Sequence, residues 1–228
     1  MSLHASLIRR AAGGIGLLLG MMAVVIFVSS GDLGFWQGWL CLATFSLASL
    51  FVTGGLVRRD PTLLERRLRG GPVAEADPRQ KVIQVLASGL FLLLLIAPGL
   101  EHRLGREPAP WPAVIAADAV ILAAYWGIWR VFAVNSHAAG VIEIAQDQKV
   151  IDTGPYAVVR HPMYAFALPL IAAIPLALGS VLSMLWALPM VAVIIWRLLD
   201  EERQLLTGLP GYADYCTRVH HRLVPGVF

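Results

Sequence analysis

Residues 163–199 read MYAFALPLIAAIPLALGSVLSMLWALPMVAVIIWRLL, an apolar stretch that is long enough for two helices but is interrupted near its middle. Three prolines remove backbone donors, and Gly179 and Ser180 permit a turn between the two halves. The stretch therefore predicts a helical hairpin with arms at about 163–178 and 181–199. Each arm is either a full span or a shorter, tilted one, because a break in a membrane helix is tolerated where it packs against protein.

Four longer apolar segments precede the hairpin, and the composition of the chain places them in a membrane. Hydrophobic residues make up 57% of the 228 residues and charged residues only 14%, which is outside the usual range of soluble domains. The segments lie at about 12–29, 36–57, 82–100 and 112–134, and each is long enough to cross a hydrocarbon core of roughly 30 Å. We therefore expect an all-α integral membrane protein with four transmembrane helices plus a C-terminal helical hairpin, five to six membrane helices in all, and a cytoplasmic C-terminal tail.

Basic residues indicate the orientation of these helices, because Lys and Arg near span ends are retained on the cytoplasmic side. Sixteen of the 18 Lys and Arg residues fall on one side of the predicted topology, and only Arg103 and Arg106 fall on the other. Both termini are therefore predicted to be cytoplasmic. The net charge of +3 follows from this asymmetry and does not indicate a nucleic-acid partner.

The polar segments divide the chain into two predicted regions. The N-terminal region, 1–134, contains four helices and a cytoplasmic loop at 57–81, in which Asp60 and Pro61 predict the start of a short helix. The C-terminal region, 135–228, contains the hairpin and the polar and aromatic residues next to it. We expect the chemistry of the protein to lie in this second region.

Polar and aromatic side chains cluster where the chain enters the hairpin. The sequence reads GPY at 154–156 and RHPMY at 160–164. Arginine and histidine are costly to place near a bilayer, so this junction indicates a ligand site, although an interfacial anchor would have a similar composition. Pro162 suits the first turn of a helix, which puts Arg160 and His161 at the helix entrance, where backbone N–H groups favour an anion.

A second polar cluster follows the hairpin. Arg197 and Glu201 lie four residues apart on one predicted helix face, where they form either an exposed ion pair or the wall of a polar pocket. Arg197 has apolar neighbours in the sequence, and the cost of desolvating a charge there favours the pocket. Residues 212–215 read YADY and predict a helix whose aromatic residues close over the hairpin. The amphipathic residues 141–153 predict a structured loop.

The ordered motifs GPY, RHPMY, Glu201-Glu202 and YADY resemble those of the isoprenylcysteine carboxyl methyltransferase family, which belongs with the membrane phospholipid methyltransferases. The resemblance covers about 135–228, and the segment from Asp60 to Arg67 is similar to a looser element of prokaryotic members. It implies a bundle of membrane helices whose C-terminal half encloses S-adenosylmethionine on the cytoplasmic side, while an apolar substrate enters from the lipid. It also implies a multi-pass protein of the bacterial inner membrane.

Transferred residue by residue, the resemblance implies a cofactor-binding set and a catalytic set. The cofactor-binding residues that it implies are Gln148, Lys149, Val150, Ile151, Tyr156, His161, Pro162, Met163, Tyr164 and Glu201. The catalytic residues that it implies are Arg197, Glu201 and His161, with Arg197 facing the substrate. Arg197 would orient a carboxylate acceptor through a two-pronged hydrogen bond. A phospholipid amine would instead have to lose a proton, and His161 is the candidate base for that step.

The predicted function is the transfer of a methyl group from S-adenosylmethionine to a lipid-like or small apolar acceptor, with a carboxylate of the isoprenylcysteine type as the first choice. A phospholipid amine and a thiol are the alternative acceptors. Two other functions stay open, an NADPH-dependent membrane sterol or enoyl reductase with a similar arginine-histidine-proline element, and a non-enzymatic lipid-binding protein. The expected partners are the bilayer and the lipid-like substrate, and the sequence leaves the oligomeric state open.

Isolated polar residues elsewhere carry less information. Asp118 lies inside the fourth span and either lines a substrate passage or pairs with a neighbouring helix. Asn135 and His137 follow that span and either cap it or border the cofactor pocket. His220 and His221 lack an acidic or thiol companion at metal-ligand spacing, so no metal site is predicted.

Overall fold

The computed structural model describes residues 3–70, 75, 77–138, 140 and 148–228. Of the described residues, 76% are helical and none lies in a strand. The helices are α1 Leu3–Ser30, α2 Trp36–Arg59, α3 Pro61–Leu68, α4 Pro78–Arg103, α5 Trp111–Phe132, α6 Pro162–Ala177, α7 Ala187–Gly208 and α8 Tyr212–Arg218, with 3₁₀ turns at Gly154–Ala157 and Leu182–Trp186. Of the loop predicted at 141–153, residues 141–147 lie outside the described part of the chain.

In the described part of the chain, five helical segments are long and apolar enough to cross a membrane, which confirms the all-α membrane architecture. They are Ala5–Ser30, Trp36–Arg59, Pro78–Arg103, Trp111–Phe132 and Leu182–Gly208. Their outward faces are apolar, as Leu17 of α1, Leu47 of α2 and Leu188 of α7 show, with 77%, 65% and 66% of each residue exposed. A continuous apolar surface of this kind suits lipid rather than water, so the helices form a multi-pass membrane protein.

The interrupted apolar stretch forms the predicted hairpin. Its first arm is α6, which is shorter than a membrane span and continues through the two prolines inside it. Its second arm begins with the 3₁₀ turn and runs through α7 to Gly208. Gly179 has φ +79° at the turn between the arms, a conformation that a residue with a Cβ rarely adopts. The Ser180 hydroxyl group donates to Glu101 Oε2 at 2.9 Å, which ties this turn to the end of α4.

The helices pack so that the hairpin is enclosed by its neighbours. Helix α1 packs against α2 and α4, α2 packs against α5, α5 packs against α6, and α4 packs against α7. The interface of α5 and α6 is close at Gly127, where an added Cβ would lie 2.3 Å from Phe166 Cδ1. The division into regions 1–134 and 135–228 stays a prediction, and α5 and α6, on either side of this boundary, form one packed unit.

The short helix α3 begins where the sequence predicts. Asp60 is its N-cap and accepts from the Leu63 backbone N–H at 2.9 Å, and Pro61 occupies the first helical position. Leu63 and Leu64 are buried against the ends of α1, α2 and α5. This packing brings Arg67, on the last turn of α3, next to the hairpin.

Candidate active site

The two arms of the hairpin converge at Tyr164, in the first turn of α6. The Tyr164 hydroxyl group donates to Glu201 Oε2 at 2.6 Å and accepts from Arg197 Nε at 3.1 Å. Arg197 and Glu201 lie about one helical turn apart on α7, so both side chains reach the same side of the helix. Arg197 and Glu201 therefore form part of the wall of a polar pocket.

A cavity between α6, α7, α8 and the end of α5, which we call the central cavity, contains the predicted site residues. Its empty volume, counted with its open mouth, is about 880 Å³. The lining includes Gln148, Lys149, Val150, Ile151, Tyr156, His161, Pro162, Met163, Tyr164, Arg197 and Glu201. The fold thus brings both predicted sets to one place, while their binding of a cofactor stays a prediction.

Further residues line the central cavity, and only some of them have a signal in the sequence. They are Asn135, His137, Ala138, Arg160, Leu205, Leu209, Tyr212 and Tyr215. The motifs do not predict Leu205 and Leu209, but these residues continue the four-residue spacing of Arg197 and Glu201, Leu205 on α7 and Leu209 directly after its end. This periodicity could have identified them, since residues four apart lie on one helix face.

Tyr156 is held between the end of α5 and the tail helix α8. Asn135 Nδ2 lies 2.7 Å from the Tyr156 hydroxyl group, and the Tyr215 hydroxyl group donates to the Tyr156 carbonyl at 2.7 Å. Burial raises the pKa of Tyr156 to about 12, so its phenol stays neutral at physiological pH. Gly154, with φ +58°, makes the turn that places Tyr156 there. Asn135 therefore borders the cavity, one of the two positions expected for it.

Arg160 does not project freely at the helix entrance. Its Nε lies 2.8 Å from Glu202 Oε1, in an ion pair whose angle is not that of a hydrogen bond. Glu202 Oε2 accepts from Arg222 Nε at 2.6 Å. The side chains of Arg160 and Glu202 are 7% and 6% exposed. The neighbouring carboxylates of α7 therefore differ in surroundings, since Glu201 faces the central cavity and Glu202 holds the tail.

The backbone at the start of α6 is also engaged by the tail. The N–H groups of Arg160 and His161 donate to the carbonyls of His221 and Arg222 at 2.9 and 3.0 Å. These two donors, which precede the first residue of α6, therefore bind oxygens of the tail. The His161 ring lies 6.0 Å from that of Tyr164, between the cavity and the tail.

Arg197 is surrounded by acceptors from distant parts of the chain. Besides the bond of its Nε to Tyr164, its Nη1 donates to Gln80 Oε1 at 2.8 Å. Its Nη2 donates to Glu75 Oε1 at 3.0 Å and to the Gly140 carbonyl at 3.1 Å. Four of the five N–H groups of a guanidinium group thus have acceptors among the described residues.

A second space, which we call the apolar crevice, lies between α1, α4, α6 and α7. Its empty volume, counted with its open side, is about 1590 Å³. Aliphatic and aromatic side chains from these helices form most of its lining, and Arg67 and Arg197 lie at its polar end. Met163, Tyr164 and Arg197 line both the crevice and the central cavity, so the two spaces adjoin at these side chains.

Asp118 lies apart from both spaces. It is 5% exposed within α5, with Thr44 of α2 as its neighbour, and it lines neither the central cavity nor the apolar crevice. Its surroundings are those of a residue at a helix interface, the second of the two positions expected from the sequence.

Comparison with known proteins connects this geometry to a family. Residues 112–209 match the family described as phospholipid methyltransferase, which confirms the resemblance found in the sequence. The matched range begins with α5 and ends just after α7, so it contains both arms of the hairpin and most of the central cavity. Among curated proteins, none matches the chain.

Proposed function

We propose that the chain, whose residues 112–209 match the phospholipid methyltransferase family, transfers the methyl group of S-adenosylmethionine to the headgroup of a lipid-like acceptor. The family suggests a membrane methyltransferase that acts on lipid-like substrates. The finer proposal assigns the methyl donor to the central cavity and the acceptor to the apolar crevice.

One observation carries this proposal, namely that the two spaces share a wall. The central cavity is polar and aromatic, whereas the crevice is mostly apolar, and the side chains of Met163, Tyr164 and Arg197 separate them. The proposed methyl transfer needs a water-soluble donor and a lipid-like acceptor to meet at one point. Alignment of two bound reactants and exclusion of water are the main contributions that an enzyme makes to such a displacement.

The residues of the central cavity suit the methyl donor chemically. S-adenosylmethionine supplies a methyl group on a positively charged sulfur, together with an amino-acid end, a ribose and an adenine ring. The Glu201 carboxylate can accept from the amino group or the ribose, and the faces of Tyr156 and Tyr212 can contact a cation. Val150 and Leu205 offer apolar contacts to a ring. The donor set therefore fits this cofactor.

The proposed roles of the chain's residues follow from their positions. Tyr164 holds the Glu201 carboxylate in place through its hydroxyl group, and Arg197 in turn holds Tyr164. His161, beside Tyr164, contributes to binding before any role as a base. The resemblance implies an isoprenylcysteine-type carboxylate as the acceptor, with a phospholipid amine or a thiol as alternatives, and the crevice can hold the apolar part of each.

Binding of product and of a competing cofactor tests the proposal. Purified protein in lipid nanodiscs is titrated calorimetrically with S-adenosylhomocysteine and with NADPH. We expect S-adenosylhomocysteine to bind and NADPH not to bind. Glu201→Gln should weaken the binding of S-adenosylhomocysteine by about tenfold or more, because a hydrogen bond to a charged group contributes about 1.5–3 kcal/mol. Glu65→Gln, at an exposed residue of α3, is the matched control and should bind as the wild type does.

A measurement of turnover distinguishes the role of the apolar crevice from that of the central cavity. Arg197→Lys keeps the positive charge but loses the planar fork, so it should bind S-adenosylhomocysteine while losing most methyl transfer, measured with tritiated donor in a lipid extract. Binding of NADPH, or wild-type affinity in Glu201→Gln, would contradict the proposal.

A further inference from the structure

The Glu75 carboxylate forms an ion pair with Arg197, the residue proposed to face the methyl acceptor. Glu75 Oε1 lies 3.0 Å from Arg197 Nη2 and accepts from Gln84 Nε2 at 2.6 Å. The Glu75 side chain is 2% exposed and that of Arg197 is 16% exposed, so water screens this pair little. Arg197 and Gln84 both line the apolar crevice, which places the pair at the polar end of the space proposed for the acceptor.

A carboxylate on the methyl acceptor would need N–H groups of Arg197 that already donate to protein oxygens. A two-pronged contact uses two parallel N–H groups on one edge of the guanidinium group. Nε donates to Tyr164 and Nη1 donates to Gln80. Nη2, which belongs to both edges, donates to Glu75 and to Gly140, so protein acceptors engage both edges. A carboxylate headgroup would therefore have to replace one of these protein acceptors.

Charge opposes a carboxylate in this position. If the headgroup lay beside Glu75, two like charges would meet in a poorly hydrated space. If it displaced Glu75 from Arg197, it would break a buried ion pair and leave the Glu75 carboxylate without its cation, which is strongly unfavourable. An amine or an uncharged headgroup meets neither cost.

We infer that Glu75 is a specificity-determining residue of the acceptor site. Its carboxylate fills the place on Arg197 that an acceptor carboxylate needs, and it directs the enzyme toward amine or uncharged headgroups. This inference rests on the proposed function, because a headgroup reaches Arg197 only if the crevice holds the acceptor. The inference favours the alternative acceptors over the carboxylate acceptor that the resemblance implies.

A binding experiment tests whether Glu75 fills a carboxylate-binding position on Arg197. Glu75→Ala removes a CH₂–COO⁻ unit, which has the size and charge of acetate. Thermal unfolding of the full chain in detergent micelles is measured in sodium acetate and in sodium chloride at equal ionic strength. We expect a lower Tm for Glu75→Ala than for the wild type, and a higher Tm for this variant in acetate than in chloride. The wild type supplies the baseline, because acetate and chloride also differ in their general effect on stability, and the rise in Glu75→Ala should exceed it.

The double variant Glu75→Ala with Arg197→Lys identifies the group that binds acetate. Lysine lacks the planar fork of arginine, so the difference in Tm between acetate and chloride should fall to that of the wild type. The inference would be overturned if the difference between the salts were no larger in Glu75→Ala than in the wild type, or if the excess survived the loss of Arg197.

A turnover experiment tests selectivity with a milder change, in case Glu75→Ala does not fold. Glu75→Gln keeps an oxygen that can accept from Arg197 but removes the charge. The probes are N-acetyl-S-farnesylcysteine, which offers a carboxylate, and dioleoylphosphatidylethanolamine, which offers an amine. The ratio of kcat/KM for the carboxylate to that for the amine should rise about tenfold or more in Glu75→Gln, as expected for relief of an unfavourable interaction with a charged group.

Two outcomes of the turnover experiment would overturn the inference, an unchanged ratio in Glu75→Gln or a wild type that prefers the carboxylate probe. Glu65→Gln serves as the matched control, since Glu65 is exposed and pairs with Arg69 on α3, away from the crevice. The proposed function fails in a different way, through the absence of S-adenosylhomocysteine binding. If neither probe is methylated, the acetate experiment decides alone, because it requires no methyl donor.

Discussion

Replacement of Glu202 by alanine should destabilise the protein and open the central cavity without touching its lining. Glu202 lies between Arg160 at the entrance of α6 and Arg222 in the tail, at 2.8 and 2.6 Å from their Nε atoms. It therefore joins α7 to the segment after α8, and α8 carries two of the tyrosines that line the cavity. Without this carboxylate, two guanidinium groups lose their common partner.

The size of the effect follows from burial. Removing one partner of a buried ion pair costs about 3–5 kcal/mol. Arg160 and Glu202 are 7% and 6% exposed, so this range applies to their pair. Arg222 is 35% exposed and can regain water, so its share is small. We expect a loss of about 3 kcal/mol in the free energy of unfolding, which corresponds to a fall in Tm of roughly 6–12 °C for a chain of this length.

The assay compares the two adjacent carboxylates of α7. Thermal unfolding in detergent micelles and calorimetric titration with S-adenosylhomocysteine are measured for Glu202→Ala and Glu201→Gln. We expect Glu202→Ala to lower both Tm and affinity, and Glu201→Gln to lower affinity while changing Tm little, because Glu201 faces the cavity. A wild-type Tm in Glu202→Ala would refute the reasoning, since the tail would then be held by other contacts. Loss of affinity at unchanged Tm would instead assign Glu202 to the cavity wall.

Two further predictions concern the membrane helices. Gly127→Ala should lower the free energy of unfolding by about 1–3 kcal/mol, because its Cβ would lie 2.3 Å from Phe166 Cδ1. Gly54→Ala, with open space around it, should leave Tm unchanged or raise it. Equal Tm values for both variants would show that α5 and α6 can separate freely. Cysteines introduced at Arg218 and Arg106 in a variant without the two native cysteines test the orientation, and we expect an impermeant maleimide to label only position 106 on intact cells, so labelling of position 218 would contradict the cytoplasmic placement of the tail.

Local signals account for the parts of the fold that the sequence predicts well. Apolar runs of sufficient length identify the spans, and the predicted segment 82–100 lies within α4, Pro78–Arg103. The hairpin turn is predicted because Gly179 permits a conformation with positive φ. Helix ends are predicted less well, since a polar extension such as the first turns of α4 carries no hydropathy signal. The helix continues there because Asp77 caps it.

Adjacent residues of a motif show where sequence reasoning about the site stops. The motifs place Glu201 and Glu202 in the same segment, but successive residues of a helix point about 100° apart. Which of the two faces the cavity depends on how α7 is rotated against its neighbours, and the motif alone does not contain that rotation. The same holds for Arg160 and His161, of which the first binds the tail through its side chain.

The partner of Arg197 is the clearest case of information that spacing cannot supply. An i,i+4 arrangement suggests that Arg197 and Glu201 neutralise each other, yet the guanidinium group is directed to Glu75 and Gln80, more than a hundred residues earlier in the chain. Glu201 instead accepts from the neutral hydroxyl group of Tyr164. Arg197 thus forms its ion pair with Glu75, while Glu201 lines the central cavity. If the central cavity binds the positively charged methyl donor, as proposed, the donor gains an attraction to Glu201 that its neutral product lacks and that an ion pair along α7 would have reduced.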